Sequence, residues 1–375
     1  MTDNITKSLN GRLLRLLIGG SPCTYWSIAK NNRETQAEGL GWELFENYLI
    51  AKEKFKPDYF LYENNKSAAQ GIKDQISKEL GVDLQYIDSS LVSPQKRQRF
   101  YAHNILGVDQ PRDREICLAD ILESGTVWLE KSYALTNRCS GAIISDTLMC
   151  RQDGGVGAKA GLYIAPAFPF GTNNNNKAHC MDANYWKGSN PKQTLEKHRR
   201  TMVAELLNFD LSQYENIIIR ESGNIEIDGK IIYCIRDEFI WCKNEKYKID
   251  LPDGYYTIRK LTPVECERLQ TMPDGYTDCV SNSQRYKCLG NGWTAEVIIH
   301  ILSHIDLPKN YPIEVLSMYD GIATGRYCLD KLGYTNITYK AYEIDKYAIQ
   351  VAMKNYPGII QCGDAFKVRE DNWLY

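Results

Sequence analysis

The stretch "LLIGGSPCTYWSIA", residues 16–29, sets Cys23 on a turn just after an apolar run that ends in two glycines. A thiolate is a strong nucleophile, and helix N-termini and neighbouring arginines favour its formation. Two other stretches supply partners. "YENN" leaves Glu63 at the end of an apolar run, and "SPQKRQRFY" leaves Arg97 and Arg99 beyond another. A lone carboxyl or arginine pair is ordinarily a solvated salt bridge. A cysteine, a carboxyl and two arginines, each beyond a strand, would line one crevice.

A second constellation lies near the other end of the chain. "EVLSMYDGIATG" runs from an apolar strand into Asp320-Gly321, and Gly325 opens a helix. Glycines let a backbone approach a ligand closely, and a helix N-terminus favours negative or electron-rich groups. "YKAYEID" puts Glu343 at the next strand end, where an acid can hold ribose hydroxyls, and "IIQCGDAF" puts Asp364 after a third strand. Together they describe a nucleoside-cofactor site at the carboxyl ends of parallel strands. The rival glycine string "GGVGAKAG" (154–161) has no strand before it and reads as a loop.

The elements that must carry these residues follow from the pattern. "RLLRLLIGG" and "PDYFLYENN" (57–65) read as buried parallel strands, "SAAQGIKDQISKELG" (67–81) as a helix closed by glycine, and "DLQYIDSSLV" as another strand. This rhythm predicts a doubly wound, mostly parallel α/β sheet. From about residue 130 the texture turns rich in glycine, asparagine and serine. Asp228-Gly229 between apolar runs then predicts a hairpin and antiparallel structure. The expected organisation is a catalytic part at 1–129, a smaller loop-rich recognition domain at 130–258, and the rest of the catalytic domain with the cofactor site at 259–375.

Composition bounds the partners. The chain has 375 residues, 43% hydrophobic and 25% charged, with a net charge of -2, so nucleic-acid binding would need a local basic patch. "WKGSNPKQTLEKHRR" (186–200), with Lys187, Lys192, Lys197, Arg199 and Arg200, is the candidate for phosphate contacts. No apolar run spans a bilayer and no export signal is expected, which reads as a cytoplasmic protein with its twelve cysteines reduced. There is no C-x-x-C pair. His300 and His304 sit one helical turn apart, but with no third ligand nearby in sequence they read as an ordinary pair, and no metal is expected.

These motifs resemble the DNA (cytosine-5) methyltransferases. "GGSPC" looks like the family's nucleophile motif, and "ENN" like its Glu-Asn-Val motif with Asn65 in place of valine. "QKRQR" fits Gln-x-Arg-x-Arg, and "SMYDGIATG" looks like the cofactor motif. "RKLTPVECERLQTMPDGYT" (259–277) and "SQRYKCLGNGWTAEVI" (283–298) are similar to the last two motifs. The active-site stretch, "DGIATG" and Trp293 most resemble the de novo branch. One departure is large: the cofactor motif normally comes first and here comes last, so the chain reads as a circular permutation of the Rossmann-like methyltransferase fold.

The resemblance implies a mechanism. Cys23 attacks C6 of a cytosine flipped out of duplex DNA, and Glu63 meets N3 and the amino group. Arg99 holds O2 with Arg97 steadying the site, while residues 24–41 form a mobile loop that closes over the base. S-adenosylmethionine is the implied cofactor. Asp320, Gly321, Ile322, Ala323 and Thr324 cradle its methionine part, Glu343 takes the ribose, Ile344 flanks the adenine and Asp364 accepts from its amino group. Asn291, Gly292 and Trp293 close the site. Double-stranded DNA is the implied partner, and the enzyme, of bacterial or phage type, would stand alone or accompany a restriction endonuclease. Two alternatives stand beside this reading. A tRNA cytosine-5 methyltransferase is disfavoured by the long variable region, and a catalytically silent DNA-binding module by the joint presence of Cys23, Glu63, Arg97 and Arg99.

Overall fold

A computed structural model describes residues 9, 11–27, 32–123, 163–170, 178–179, 202–208, 217–227, 229–242, 244–249 and 251–372. In chain order, the first elements are β1 (Leu14–Gly19), α1 (Leu40–Phe55), β2 (Tyr59–Asn65), α2 (Gln70–Leu80), β3 (Leu84–Asp88) and β4 (Gln98–His103). Then come β5 (Tyr163–Phe170), β6 (Met202–Asn208), β7 (Ile217–Ile219), β8 (Ile225–Ile227), β9 (Lys230–Arg236), β10 (Phe239–Cys242), β11 (Glu245–Lys248) and β12 (Gly254–Arg259). The chain closes with α3 (Pro263–Leu269), α4 (Asn282–Asn291), α5 (Ala295–Leu302), β13 (Ile313–Met318), α6 (Thr324–Lys331), β14 (Ile337–Tyr342), α7 (Lys346–Asn355) and β15 (Ile360–Gly363).

The principal sheet has seven strands in the order β15-β14-β13-β1-β2-β4-β3. All neighbours pair in parallel except β4, which is antiparallel to both β2 and β3. The fold is therefore α/β with a mostly parallel sheet, as the strand–helix rhythm predicts. The first strand of the chain lies beside one near its end, with Leu14 opposite Ile313 and Gly19 opposite Met318. Strand alternation sends successive side chains to opposite faces. Leu17, Phe60, Leu316 and Met318 pack with α1, α2 and the turn at 365–369, while Leu16, Ile18, Leu61 and Val315 join a core with α3 to α7. Both faces are covered, which is why the central strands read as continuous apolar runs.

Local signals account for the helix ends. α2 closes on Gly81 at φ 71°, a left-handed C-cap. α3 opens with a capping box, Thr262 accepting from the Glu265 amide while Glu265 reaches back to the Thr262 N–H, and with Pro263 in the first turn.

The second sheet is antiparallel and has eight strands, β5 to β12. β8 and β9, which flank the predicted turn, pair antiparallel with Ile227 opposite Lys230, while Asp228 lies outside the described residues. Arg259, at the end of β12, pairs with Glu205 on β6 at 2.6 Å and with the buried Glu265 of α3 at 2.7 Å, locking this sheet to the helices beside the principal one. The basic run 186–200 and the loop 151–161 lie outside the described residues. Among those residues, no helix is long and apolar enough to cross a membrane.

Candidate active site

β1 ends at Gly19 and Gly20 follows it because the backbone must pass close to its neighbour. A Cβ on Gly20 would come within 2.6 Å of the Glu63 carbonyl oxygen. The chain then turns through Ser21 and Pro22 and enters a single 3-10 turn, Cys23–Tyr25, with Cys23 half-buried. The turn is held by the end of β2. Asn64 Nδ2 donates to the Ser21 carbonyl at 3.0 Å, Ser21 Oγ shares a hydrogen bond with Tyr62 Oη at 2.7 Å, and Asn65 Nδ2 donates to the Cys23 carbonyl at 3.1 Å. Asn65, the departure from the Glu-Asn-Val pattern, thus bonds the backbone of Cys23, the expected nucleophile.

Glu63 is nearly buried, at 9% exposed. Its Oε1 lies 2.9 Å from Arg99 Nε, and its Oε2 accepts from Trp293 Nε1 at 3.0 Å. Arg97, 3% exposed, donates from Nη2 to the carbonyls of Gly290 and Gly292 at 3.3 and 2.9 Å. It braces the turn that presents Trp293. Both arginines reach the crevice in a way the sequence reading did not foresee. Arg99 sits near the start of β4, and because β4 runs antiparallel, its first residues share a sheet edge with the last residues of β1 and β2.

The segment 319–323, the expected cofactor motif, turns sharply. Tyr319, Gly321 and Ala323 take φ of 60°, 64° and 62°, a left-handed alternation that only Gly321 adopts without strain. Glu343 Oε2 accepts from the Gly321 amide, and its Oε1 accepts from the Ile344 and Asp345 amides, all at 2.8 Å. Asp364 caps the turn at 365–369 through the Phe366 amide. Asp320 is enclosed. Its Oδ1 accepts from Ser317 at 2.7 Å and Tyr339 at 2.6 Å, while its Oδ2 is buried with no hydrogen-bond partner. Burial pushes its carboxyl up to about 6 against the pull of those two hydroxyls, with the charge of Glu343 adding to the rise.

One cleft of about 440 Å³ joins the two constellations. Cys23, Glu63, Arg97, Arg99, Asn291, Gly292, Trp293, Asp320, Gly321, Ile322, Thr324, Glu343, Ile344 and Asp364 all line it. Ala323 does not: it is fully buried, and its part is to turn the backbone into α6. Trp293, expected to close the cofactor site, also bonds the carboxyl at the other end of the cleft. The lining fits a cationic nucleoside. An orphaned carboxylate oxygen awaits a positive or proton-donating group, acids stand at successive strand ends, and Ile344 exposes an apolar face on the rim.

The stretch 24–41, expected to form a mobile loop that closes over the base, is anchored at both of its arms. Trp26 is fully buried and donates from its indole N–H to Glu34 at 3.1 Å, Glu34 also accepts from the Gly41 amide, and Arg33 donates to the Ser67 carbonyl at 2.6 Å. These contacts pin both arms. Residues 28–31 lie outside the described residues.

Other contributors escaped the sequence reading. Gln270 donates to the Leu289 carbonyl and accepts from Thr294, and Thr294 accepts in turn from Ser89. This buried chain fixes the backbone on either side of Trp293. The local stretches of Ser89, Gln270 and Thr294, "DSS", "LQT" and "WTA", carry no pattern that marks them as buried. The histidine pair also has the third neighbour it was expected to lack: Asp109 lies within ligand distance of both His300 and His304.

The family described as C-5 cytosine-specific DNA methylase matches residues 2–306, a span that ends before β13. Over 371 aligned positions the chain is 23% identical to the orphan methyltransferase M.SPRI of Bacillus phage SPR, covering 77% of this chain and 82% of that protein. A DNA (cytosine-5)-methyltransferase, DRM1A of Oryza sativa subsp. japonica, is 25% identical over 157 residues, 42% of this chain and 31% of that one. Among solved structures, a DNMT2 variant from Spodoptera frugiperda aligns over 81% of this chain and 82% of its own with a TM-score of 0.37 and 17% identity.

Proposed function

The chain belongs to the C-5 cytosine-specific DNA methylase family, and from that premise we propose that it methylates C5 of a cytosine flipped out of duplex DNA, through a covalent bond to Cys23. S-adenosylmethionine, the cofactor of the family, supplies an electrophilic methyl group when bound. Asp320, Glu343, Ile344 and Asp364 are the residues that would hold it.

The observation that carries this reading is the single cleft in which Cys23, Glu63 and Arg99 face the acid-lined cofactor end. Flipping the base costs a few kcal/mol and exposes its edge. Glu63 takes up a proton as the base enters and shares it with N3, and Cys23 Sγ bonds to C6. The electron pair displaced from the C5–C6 double bond makes C5 nucleophilic, and C5 takes the methyl group. Loss of the C5 proton to water restores the C5–C6 double bond and expels the Cys23 thiolate, and the N3 proton returns to Glu63. Arg99, which pairs with Glu63, reaches O2 of the base, and Trp293 keeps Glu63 aimed. The antiparallel sheet and the basic run at 186–200 form the DNA-reading part within 130–258.

The motif order makes the chain a circular permutation of the family's catalytic domain. Two observations support this. β1 and β13 pair in full register at the centre of the sheet. Segment 54–58 also touches both ends of the described chain: Lys54 Nζ donates to the carbonyls of Val368, Arg369 and Asp371, while Arg12 pairs with Asp58 and Arg15 Nη1 donates to the Phe55 carbonyl.

The test is adduct formation on duplex DNA carrying 5-fluorocytosine, whose C5 cannot release the thiol. The wild type is expected to be trapped at Cys23 in the presence of S-adenosylmethionine, and Cys23→Ala neither trapped nor active. Methylation of tRNA but not of duplex DNA in a parallel assay would overturn the substrate assignment. An adduct on another cysteine would overturn the nucleophile.

A further inference from the structure

We propose that Asp109, His300 and His304 form a binding site for a borderline divalent transition-metal ion, of which zinc is the representative, outside the catalytic cleft. His300 lies on α5 and His304 follows one turn later, just past its C-cap, so the two imidazoles project from one side. The loop after β4 brings Asp109 to them from 191 positions away. Asp109 Oδ1 lies 3.4 Å from His300 Nε2 and 3.9 Å from His304 Nε2, and all three ligand atoms fit within 4.8 Å. Zinc bonds of 2.0–2.1 Å in a tetrahedron require ligand atoms about 3.3 Å apart, so Asp109 and His300 already stand at that spacing and His304 must draw in to complete it.

Three further features favour a cation here. His304 Nδ1 bonds the His300 carbonyl at 2.9 Å, which places its proton on Nδ1 and leaves the Nε2 lone pair facing the other two donors. That arrangement orients metal-bound histidines generally. The site sits at the C-terminal end of α5, where helix carbonyls favour positive charge. Two imidazoles and one carboxylate select zinc, cobalt, nickel or copper over calcium or magnesium. His300 Nε2 donates to the Asp109 carbonyl at 2.9 Å. On binding, that proton moves to Nδ1 and Nε2 becomes a ligand, with water completing the shell. The ion would staple the loop after β4 to α5, reinforcing the ion pair of Arg114 with Glu296 at 2.6 Å.

The test is calorimetric titration of the untagged, metal-stripped chain with zinc sulfate, repeated with cobalt and read by absorption. One ion per chain is expected in the wild type, with an upward shift in Tm. Binding should be retained in Cys23→Ser and weakened at least about tenfold in His304→Ala and in Asp109→Asn. Circular dichroism checks that these surface variants fold. Failure of the wild type to take up a saturating ion overturns the proposal. So does unchanged uptake in both His304→Ala and Asp109→Asn, which would mean that thiols hold the metal.

Discussion

Trp293 Nε1 donates to Glu63 Oε2 at 3.0 Å, joining the segment after α4 to the end of β2 across 230 positions of sequence. A hydrogen bond to a charged group contributes about 1.5–3 kcal/mol. Trp293→Phe keeps the ring and removes the donor. It should lower the single-turnover methylation rate by about 10–100-fold while leaving the KM for S-adenosylmethionine little changed. A raised KM with unchanged rate would mean that the ring serves the cofactor alone.

Asn65 donates to the Cys23 carbonyl from the position where the family motif carries valine. Asn65→Val removes that bond, at a cost of about 1 kcal/mol. The expected outcome is a several-fold slower rate of 5-fluorocytosine adduct formation with DNA affinity intact. Equal trapping rates in the two proteins would show that the turn is held without it.

Asp320 titrates at about 6, above its ordinary 3.8. Below pH 5 the folded chain carries it neutral, and above pH 7 ionised. A cationic cofactor favours the ionised form, so affinity should rise roughly tenfold from pH 5 to 7. The same shift has the opposite sign for the ligand-free fold. A carboxyl raised on folding contributes its stability at low pH and loses it as pH rises through 6. Calorimetry and thermal unfolding across this range check both, and Asp320→Asn should flatten both profiles.

If the motif order reflects permutation, then joining the ends of this chain with a flexible linker and opening it between Asp306 and Asn310 restores the family order. The core contacts are unchanged, and loop length alters stability by only about 0.6 kcal/mol per doubling. The re-permuted protein should fold and methylate DNA. An insoluble or inactive product at several linker lengths would refute the ordering.

Much of the site was legible because its signals are local. Gly20 and Gly321 announce a close approach and a left-handed turn, and Glu63, Glu343 and Asp364 fall at the ends of apolar runs. What could not be read depends on pairing between distant segments. The reversed direction of β4 decides how Arg99 enters the cleft. The burial of Trp26 decides how much of 24–41 is pinned. Asp109 meets His300 and His304 only through the path of its loop. None of these leaves a periodicity in its own stretch of chain.

The adjacency of β1 and β13 also governs how the molecule comes into being. Tyr311 Oη donates to the Arg12 carbonyl across a separation of 299 residues, and Leu14 meets Ile313 beside it. The centre of the principal sheet therefore cannot close until most of the polypeptide has left the ribosome. Until then "LRLLIG", apolar apart from Arg15, has one unpaired edge, a template for contact with other nascent chains. Closing so long a loop also slows the late step, since topology dominated by distant pairings folds slowly. Synthesis of this protein should accordingly be more sensitive to temperature and expression rate than the finished fold is to heat.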